Sequence, residues 1–552
     1  MLMLRPQDDE REAPRCRVPM TDDASAGAAG GNEPVDGRQS GEPGLSGDSE
    51  LGGRLLLGTA VNVVGGVAGQ AMTLATMFVA LARVGAEAYG ILAFALGVTQ
   101  LPLLLEKGMG VCVLNAMHTM PGSRRRTSRL AVALLAYVGL GVATMVAGLI
   151  VSHLVLTRVI DVPSGLHGAA VRAFDVVTVA AGIRVVLTFT ARSLAAESRL
   201  PTLRLIELTR DAGALVATLV LVDAGTGSLT WVAGALLIGD VAAGLVALFT
   251  ARETWGEAMH LRAVDAAARR ELVDTSKPYL AIAASGLMAS RADPFIVGIV
   301  LGPSALAMHA VALRVLQMFS GAIDLLGLGV TSGTARLMAV GEPERIGGLY
   351  RKASGYAALV VWPCAVAVVG FAAHAAGALT DFDRGEMAWV LKAVMVLVVI
   401  LVPVGQAWSV MYGSNQVRGL VRAQLVTTLV TLVLSLALVE PLGVTAVFVS
   451  SIVGACGAGL FLLPALERIS GQPWDRLLSG LLRPGILAVG LLAVLLGVDR
   501  WAPGAVSTAG LGLVAFGVYG ALGLWWVVPA TDRKRLVDGL SRRAPSRGRS
   551  AR

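Results

Sequence analysis

Residues 124–156 read RRRTSRLAVALLAYVGLGVATMVAGLIVSHLVL, a burst of arginine followed by a run without Asp, Glu, Lys or Arg. A helix of about 20 apolar residues spans the hydrocarbon core of a bilayer. Arginine gathered just outside such a run marks its cytoplasmic side. The stretch therefore predicts a membrane crossing and its direction together. Outward from it the same unit recurs, giving fourteen apolar blocks between Leu55 and Ala530. They are residues 55–81, 90–117, 130–156, 173–191, 205–222, 231–250, 279–300, 304–331, 354–376, 389–412, 420–438, 445–466, 485–498 and 506–528. The expected fold is all-α and polytopic, with about 14 transmembrane helices.

Composition agrees. Of 552 residues, 55% are hydrophobic and 15% charged, where a soluble domain carries about 25% charged residues. The net charge of +8 sits at block boundaries and not on one soluble face, so it is a membrane signature and not a nucleic-acid one. Cys16, Cys112, Cys364 and Cys456 share no close spacing, which argues against a disulfide framework or a metal centre. Residues 1–50 are rich in Gly, Asp, Glu, Ser and Pro and read as a disordered cytoplasmic tail. Met20 is an alternative start, and residues 531–552 form a basic tail.

Arginine follows every even-numbered block. Arg192, Arg199 and Arg204 follow the fourth, Arg252, Arg262, Arg269 and Arg270 the sixth, and Arg336, Arg345 and Arg351 the eighth. The gaps around Gly225, Gly302 and Gly443 hold neither Lys nor Arg. Both termini are expected in the cytoplasm, and the protein in the cell (plasma) membrane as a multi-pass chain.

The first six blocks predict the next six. Val84-Gly85-Ala86 after the first block is echoed by Leu301-Gly302-Pro303 after the seventh, an offset of 217 residues from Val84 to Leu301. Gly108-Met109-Gly110-Val111 is echoed by Gly327-Leu328-Gly329-Val330. Each unit has an even number of spans, so the two are parallel, related by a pseudo-two-fold axis along the membrane normal. The expected organisation is a tail (1–50), a six-helix lobe (51–250), an inter-lobe linker (251–277), a second six-helix lobe (278–467), an extra helix pair (468–530) and the basic tail (531–552). Two such lobes can rock about a central cavity and alternate its access.

Charge inside a block is costly and faces a bundle interior or a wet cavity. Arg184, Arg291 and Arg314 are the mid-block cations, read as lining a cationic cleft that receives an anionic group, since the planar guanidinium binds phosphate bidentately. The competing reading is internal pairing, such as Arg291 with Asp293. Asp293, Glu106, Lys107 and Asp324 are candidates for ion coupling or for locking helices. Asp175, Asp240, Asp324 and Lys392 lie nearer block ends, and Asp240, Asp324, Lys107 and Glu106 also read as snorkelling or interfacial groups. Pro294, Pro363, Pro403 and Pro464 are candidate kinks. No metal ligand set and no catalytic group stands out.

Several motifs carry a resemblance. Ala82-Arg83-Val84-Gly85-Ala86-Glu87-Ala88-Tyr89-Gly90, Glu106-Lys107-Gly108-Met109-Gly110, Ala292-Asp293 through Leu301-Gly302, Val311-Ala312-Leu313-Arg314 and Gly341-Glu342-Pro343-Glu344-Arg345 are, in this order and spacing, similar to the polysaccharide flippase branch of the multidrug/oligosaccharidyl-lipid/polysaccharide exporter superfamily. The likeness runs from about Leu55 to Leu466. It departs at Thr331-Ser332-Gly333-Thr334, where proline is usual, and in the absence of an acid from the first block.

The resemblance implies a flippase that moves a polyprenyl-diphosphate-linked oligosaccharide between leaflets for cell-surface polysaccharide biosynthesis. It implies no cofactor, possible coupling to a proton or sodium gradient, and the bilayer and a polysaccharide polymerase or glycosyltransferases as partners. Sibling alternatives are a peptidoglycan-precursor flippase and a cation-coupled drug antiporter. The alternative of another class is an integral-membrane glycosyltransferase or polymerase, for which Asp381, Asp383 and Glu386 form the one acidic cluster on an outer loop.

Overall fold

The computed structural model describes residues 65–530 except 67, 100–101, 118, 121, 159–161, 164, 198, 223–227, 372–381 and 502–504, and within some helices it describes the backbone alone. Both expected tails lie outside the described residues. The described chain is helical, with no strand. In hydrocarbon every backbone N–H and C=O must be satisfied within its own segment, and a helix achieves that. Polar side chains follow the same rule: Thr73, Thr76, Thr144 and Thr218 each donate to the carbonyl four residues earlier.

The helices are α1 (Ala68–Val84), α2 (Ala86–Thr99), α3 (Pro102–Met117), α4 (Arg124–Arg158), α5 (His167–Ala196), α6 (Leu200–Leu221), α7 (Ser228–Thr250), α8 (Arg252–Ala258), α9 (Ala266–Val300), α10 (Pro303–Ala339), α11 (Glu344–Gly370), α12 (Arg384–Gly413), α13 (Val417–Leu442), α14 (Thr445–Ser470), α15 (Trp474–Leu478), α16 (Leu482–Trp501) and α17 (Ala505–Trp526). Among the described residues eight helices are long and apolar enough to cross a membrane, and three shorter apolar helices accompany them. The outer surface is oily. On α4, Val142, Val146, Ile150 and Leu154 recur every fourth residue and are all exposed, as are Leu425, Leu429, Val433 and Leu436 on α13. Such stripes are aggregation sites in water and the natural surface in lipid.

Two elements differ from the sequence expectation. The expected linker 251–277 is largely helical. It is α8, a 3-10 turn at Leu261–Ala263, and then the opening turns of the 35-residue α9. Asp265 starts α9 by accepting from Ala268 N at 2.7 Å, a strong N-cap that lets the helix begin well before the expected block 279–300. The short block 485–498 extends to Leu482–Trp501. Pro363, Pro403 and Pro464 all lie inside continuous helices.

The two halves, α1–α7 and α9–α14, repeat each other's details. Gly85 and Gly302 both adopt positive φ, 83° and 88°, and so do Gly122 and Gly341, at 71° and 75°. Only glycine takes this conformation without cost, which explains why it recurs at those turns. The packing pairs also correspond. In the first half α4 lies on α5, and α7 on both α5 and α6; in the second α11 lies on α12, and α14 on both α12 and α13. The halves meet along α2 with α10 and α3 with α9, and α16 packs on α11.

Arg83, in the resemblance motif, has a structural task. Its guanidinium donates to the carbonyls of Leu219 at 3.1 Å, Thr218 at 3.4 Å, and Val222. It thereby caps the carbonyl end of α6, favourable for a cation at a helix C-terminus.

Candidate functional site

The described mid-block charges separate into locks and one guanidinium without a carboxylate partner among the described residues. Arg184 is a lock. Its Nε and Nη2 donate to Asp240 Oδ1 at 3.1 Å and Oδ2 at 2.8 Å, a bidentate pair joining α5 to α7. Asp240 is fully buried, so it is not the interfacial group the sequence implied. Arg184 likewise does not offer a free cation to a ligand, and the space beside it is only about 10 Å³, barely room for one water.

Glu106 is the second lock. It accepts from Arg192 Nε at 2.8 Å and Nη2 at 3.0 Å, and from Tyr137 Oη, joining α3, α5 and α4. Gly110 makes room for it: a Cβ there would lie 2.8 Å from Arg192 Nε and 3.0 Å from Glu106 Oε1. Of the two roles considered for Glu106, the geometry is that of helix locking. The side chains of Lys107 and Arg291 lie outside the described residues, though both positions are helical.

Arg314, on α10, differs. Among the described residues its hydrogen-bond partner is Gln317 Oε1, one turn away at 2.9 Å, with no carboxylate paired to it. The charges it senses come from the other half: Asp211, Arg210 and Arg184, together with the Tyr89 hydroxyl. Arg210 and Asp211 pair with each other on α6 at 2.9 Å, and Arg210 senses Asp240. Arg184, Arg210 and Arg314 thus share one electrostatic neighbourhood between the halves with Asp211 and Asp240, and Arg210 also senses Glu207, itself paired with Arg204. Arg210 and Asp211 were not singled out in the sequence. Their position inside the apolar block 205–222 is a signal of the same kind that marked Arg184.

Asp293, on α9, keeps one carboxylate oxygen buried without a hydrogen-bond partner among the described residues, with Ser435 of α13 facing it. Asp324 is exposed and lines a cavity of about 430 Å³ between α10, α12 and α13. That volume is in the range of small-molecule sites. The cavity continues a polar stripe on α10. Arg314, Gln317, Ser320, Asp324, Gly327 and Thr331 recur at intervals of three and four, hence on one face. The stripe is about 26 Å long at 1.5 Å per residue. No group of three or more His, Cys, Asp or Glu able to hold a metal occurs among the described residues. Of the outer acidic cluster, Asp383 serves as N-cap of α12, accepting from Glu386 N at 2.8 Å, and Asp381 lies outside the described residues.

No known family profile and no curated protein sequence matches the chain. Solved structures do. An inward-facing multidrug resistance MATE family transporter of the MOP superfamily superposes with a TM-score of 0.63 at 17% identity, over 75% of this chain and 98% of its own. The lipid II flippase MurJ in its inward closed conformation gives a TM-score of 0.65 at 10% identity, over 85% of this chain and 99% of its own. A MOP superfamily transporter from Pyrococcus furiosus gives 0.55 at 18% identity, over 75% of this chain and 95% of its own. At these identities what is shared is the fold: this chain is built like the polytopic transporters of the MOP superfamily.

Proposed function

We propose that the chain is a membrane transporter, a flippase that carries a polyprenyl-diphosphate-linked oligosaccharide from the inner to the outer leaflet of the cell membrane by alternating access, with both termini in the cytoplasm. The observation that carries this reading is Arg314, a guanidinium with no carboxylate partner among the described residues, close to two further guanidiniums, Arg184 and Arg210. A diphosphate crossing hydrocarbon needs a compensating charge, and guanidinium supplies it with bidentate hydrogen bonds. The ion pair Arg184–Asp240 holds α5 to α7, and Arg210–Asp211 on α6 shapes the field. The fold shared with MurJ and MATE structures supports transport as the activity.

Coupling to a proton or sodium gradient belongs to the same proposal. Asp293 is its candidate, a carboxylate with one buried oxygen unsatisfied among the described residues, which a proton or a cation would complete. A polysaccharide polymerase or glycosyltransferases are the proposed partners on either side.

The test is flipping by the purified full chain in vesicles, with polyprenyl-diphosphate disaccharide as the probe. A charge-assisted hydrogen bond contributes about 1.5–3 kcal/mol, so Arg314→Ala is expected to slow flipping by about tenfold or more, and Arg314→Lys by less. Unchanged flipping in Arg314→Ala would remove the basis of the reading. Exchange of an organic cation dye in the same vesicles, without lipid flipping, would replace it with the drug-antiporter alternative.

A further inference from the structure

The cavity between α10, α12 and α13 has a chemistry opposite to that of the Arg314 neighbourhood. The hydroxyl oxygens of Thr331 and Ser409 are left as acceptors, because their protons are already committed. Thr331 Oγ1 donates to the carbonyls of Gly327 and Ser409, both at 3.1 Å, and Ser409 Oγ donates to Gly405 O at 3.1 Å. Asp324 adds carboxylate acceptors and Gln424 an amide. Two aromatic residues one turn apart on α12, Trp408 and Tyr412, complete the wall, their ring centroids 6.2 Å apart and tilted by 35°. An anion would be repelled here. The ligand that fits presents several O–H donors around its edge and an apolar C–H face to a ring, which describes a pyranose sugar.

Building on the flippase reading, we propose that this cavity is a saccharide subsite: a neutral sugar ring of the cargo packs on Trp408 and Tyr412 and donates hydroxyl hydrogen bonds to Asp324, Ser409, Thr331 and Gln424. The stripe on α10 then orders the cargo. Diphosphate lies at Arg314, and the first sugars extend along Gln317 and Ser320 to Asp324, about 15 Å along the helix axis. An organic cation would also find an aromatic and a carboxylate here. The run of neutral hydroxyl and amide groups, and the positive end of the same stripe, favour the polyol.

The experiment uses the full chain in lipid nanodiscs and saturation-transfer NMR with three probes: methyl β-glucoside, tetraphenylphosphonium and inorganic pyrophosphate. The expected result is transfer to the glucoside in the native protein, reduced about fivefold in Trp408→Ala and largely restored in Trp408→Phe. Gln424→Ala, on the opposite wall, weakens it independently and serves if Trp408→Ala does not fold. Arg314→Ala leaves the glucoside signal intact while lowering that of pyrophosphate. Absence of glucoside transfer, equal transfer in Trp408→Ala and Gln424→Ala, or displacement of glucoside by tetraphenylphosphonium each overturns the subsite. Failure of the subsite with normal Arg314-dependent flipping leaves the flippase reading standing. Intact glucoside binding with Arg314-independent flipping removes that reading and keeps the subsite.

Discussion

At the arginine-poor end of the bundle the two halves meet backbone to backbone, whereas at the arginine-rich end they meet through charges. The first contact is α2 against α10. Gly90 lies so close that a Cβ would overlap the carbonyl oxygen of Pro303 and stand 3.2 Å from Ala307 N. Around it Ile91, Leu92, Phe94, Leu306 and Val311 are buried in one apolar cluster. Phe94 meets Phe295 edge-on at 5.0 Å. The second contact is α3 and α4 against the early turns of α9. Arg129 holds Glu271 through two contacts, 2.6 Å and 3.0 Å. Next to it Arg126 and Thr127 hold Glu257 at 3.1 Å and 3.2 Å, and Ser128 accepts from Asp265 N at 3.3 Å. An interface of interlocked backbone is either closed or absent. An interface of partly exposed ion pairs exchanges its partners for water at little cost. The difference teaches that the charged end is the easier one to open.

The largest effect is expected at Gly90. Gly90→Val drives a branched side chain into the backbone of Pro303, which cannot retreat as a flexible side chain would. Overpacking costs about 3 kcal/mol. The variant should melt at clearly lower temperature in detergent, or keep its fold with α2 and α10 forced apart. A cysteine pair placed on those helices distinguishes these outcomes by its cross-linking yield. A native melting temperature together with native cross-linking would show that the close approach is not what seals this end.

Second in size is the core lock. Asp240→Ala strands Arg184 beside a fully buried site. Removing one member of a buried pair costs about 3 kcal/mol, so the loss should approach that of Gly90→Val while leaving both seams in place. Asp240→Ala with unchanged thermal stability would mean that Arg184 finds solvent or another acceptor, and would return it to the pool of free cations.

Much of this architecture can be read from the chain, because a bilayer forces helices on any long apolar run. The turn glycines show it well: the pair Gly85 and Gly302 was legible as a repeat and proved to share one rare backbone conformation. The early start of α9 was hidden because Ala266–Lys277 is polar and reads as connector, although Asp265 is a good N-cap. The site was legible only as a set of suspects. Which suspect is neutralised depends on partners far along the chain: Arg184 finds Asp240 and Glu106 finds Arg192 through packing that no local pattern encodes. Arg314 stands apart from them only once those pairings are known.

A smaller effect is expected at the charged seam, and the chain carries its own reporter. Cys112 on α3 is partly buried, its thiol 3.8 Å from Leu272 O of α9. In a background lacking Cys16, Cys364 and Cys456, Glu271→Gln should raise the rate at which a water-soluble maleimide labels Cys112. A partly exposed pair is worth about 1 kcal/mol, a change of about fivefold in an opening equilibrium. Labelling at the native rate would place the seal of this end in the apolar packing of α3 on α9 and erase the contrast with Gly90.

The smallest effect separates charge from shape. Raising salt toward 1 M shortens the screening length to about 3 Å, comparable with the Arg129–Glu271 separation, so native Cys112 labelling should rise modestly. In Glu271→Gln, which keeps only the Arg126–Glu257 pair at this seam, salt should change labelling less. The exchanged pair, Arg129→Glu with Glu271→Arg, keeps the attraction while reversing its direction. It should therefore restore both slow labelling and its salt dependence, provided the longer side chain fits on α9. Restored slow labelling without salt dependence would mean that the new side chains merely fill the seam, and the two ends of the bundle would then be sealed by the same physics.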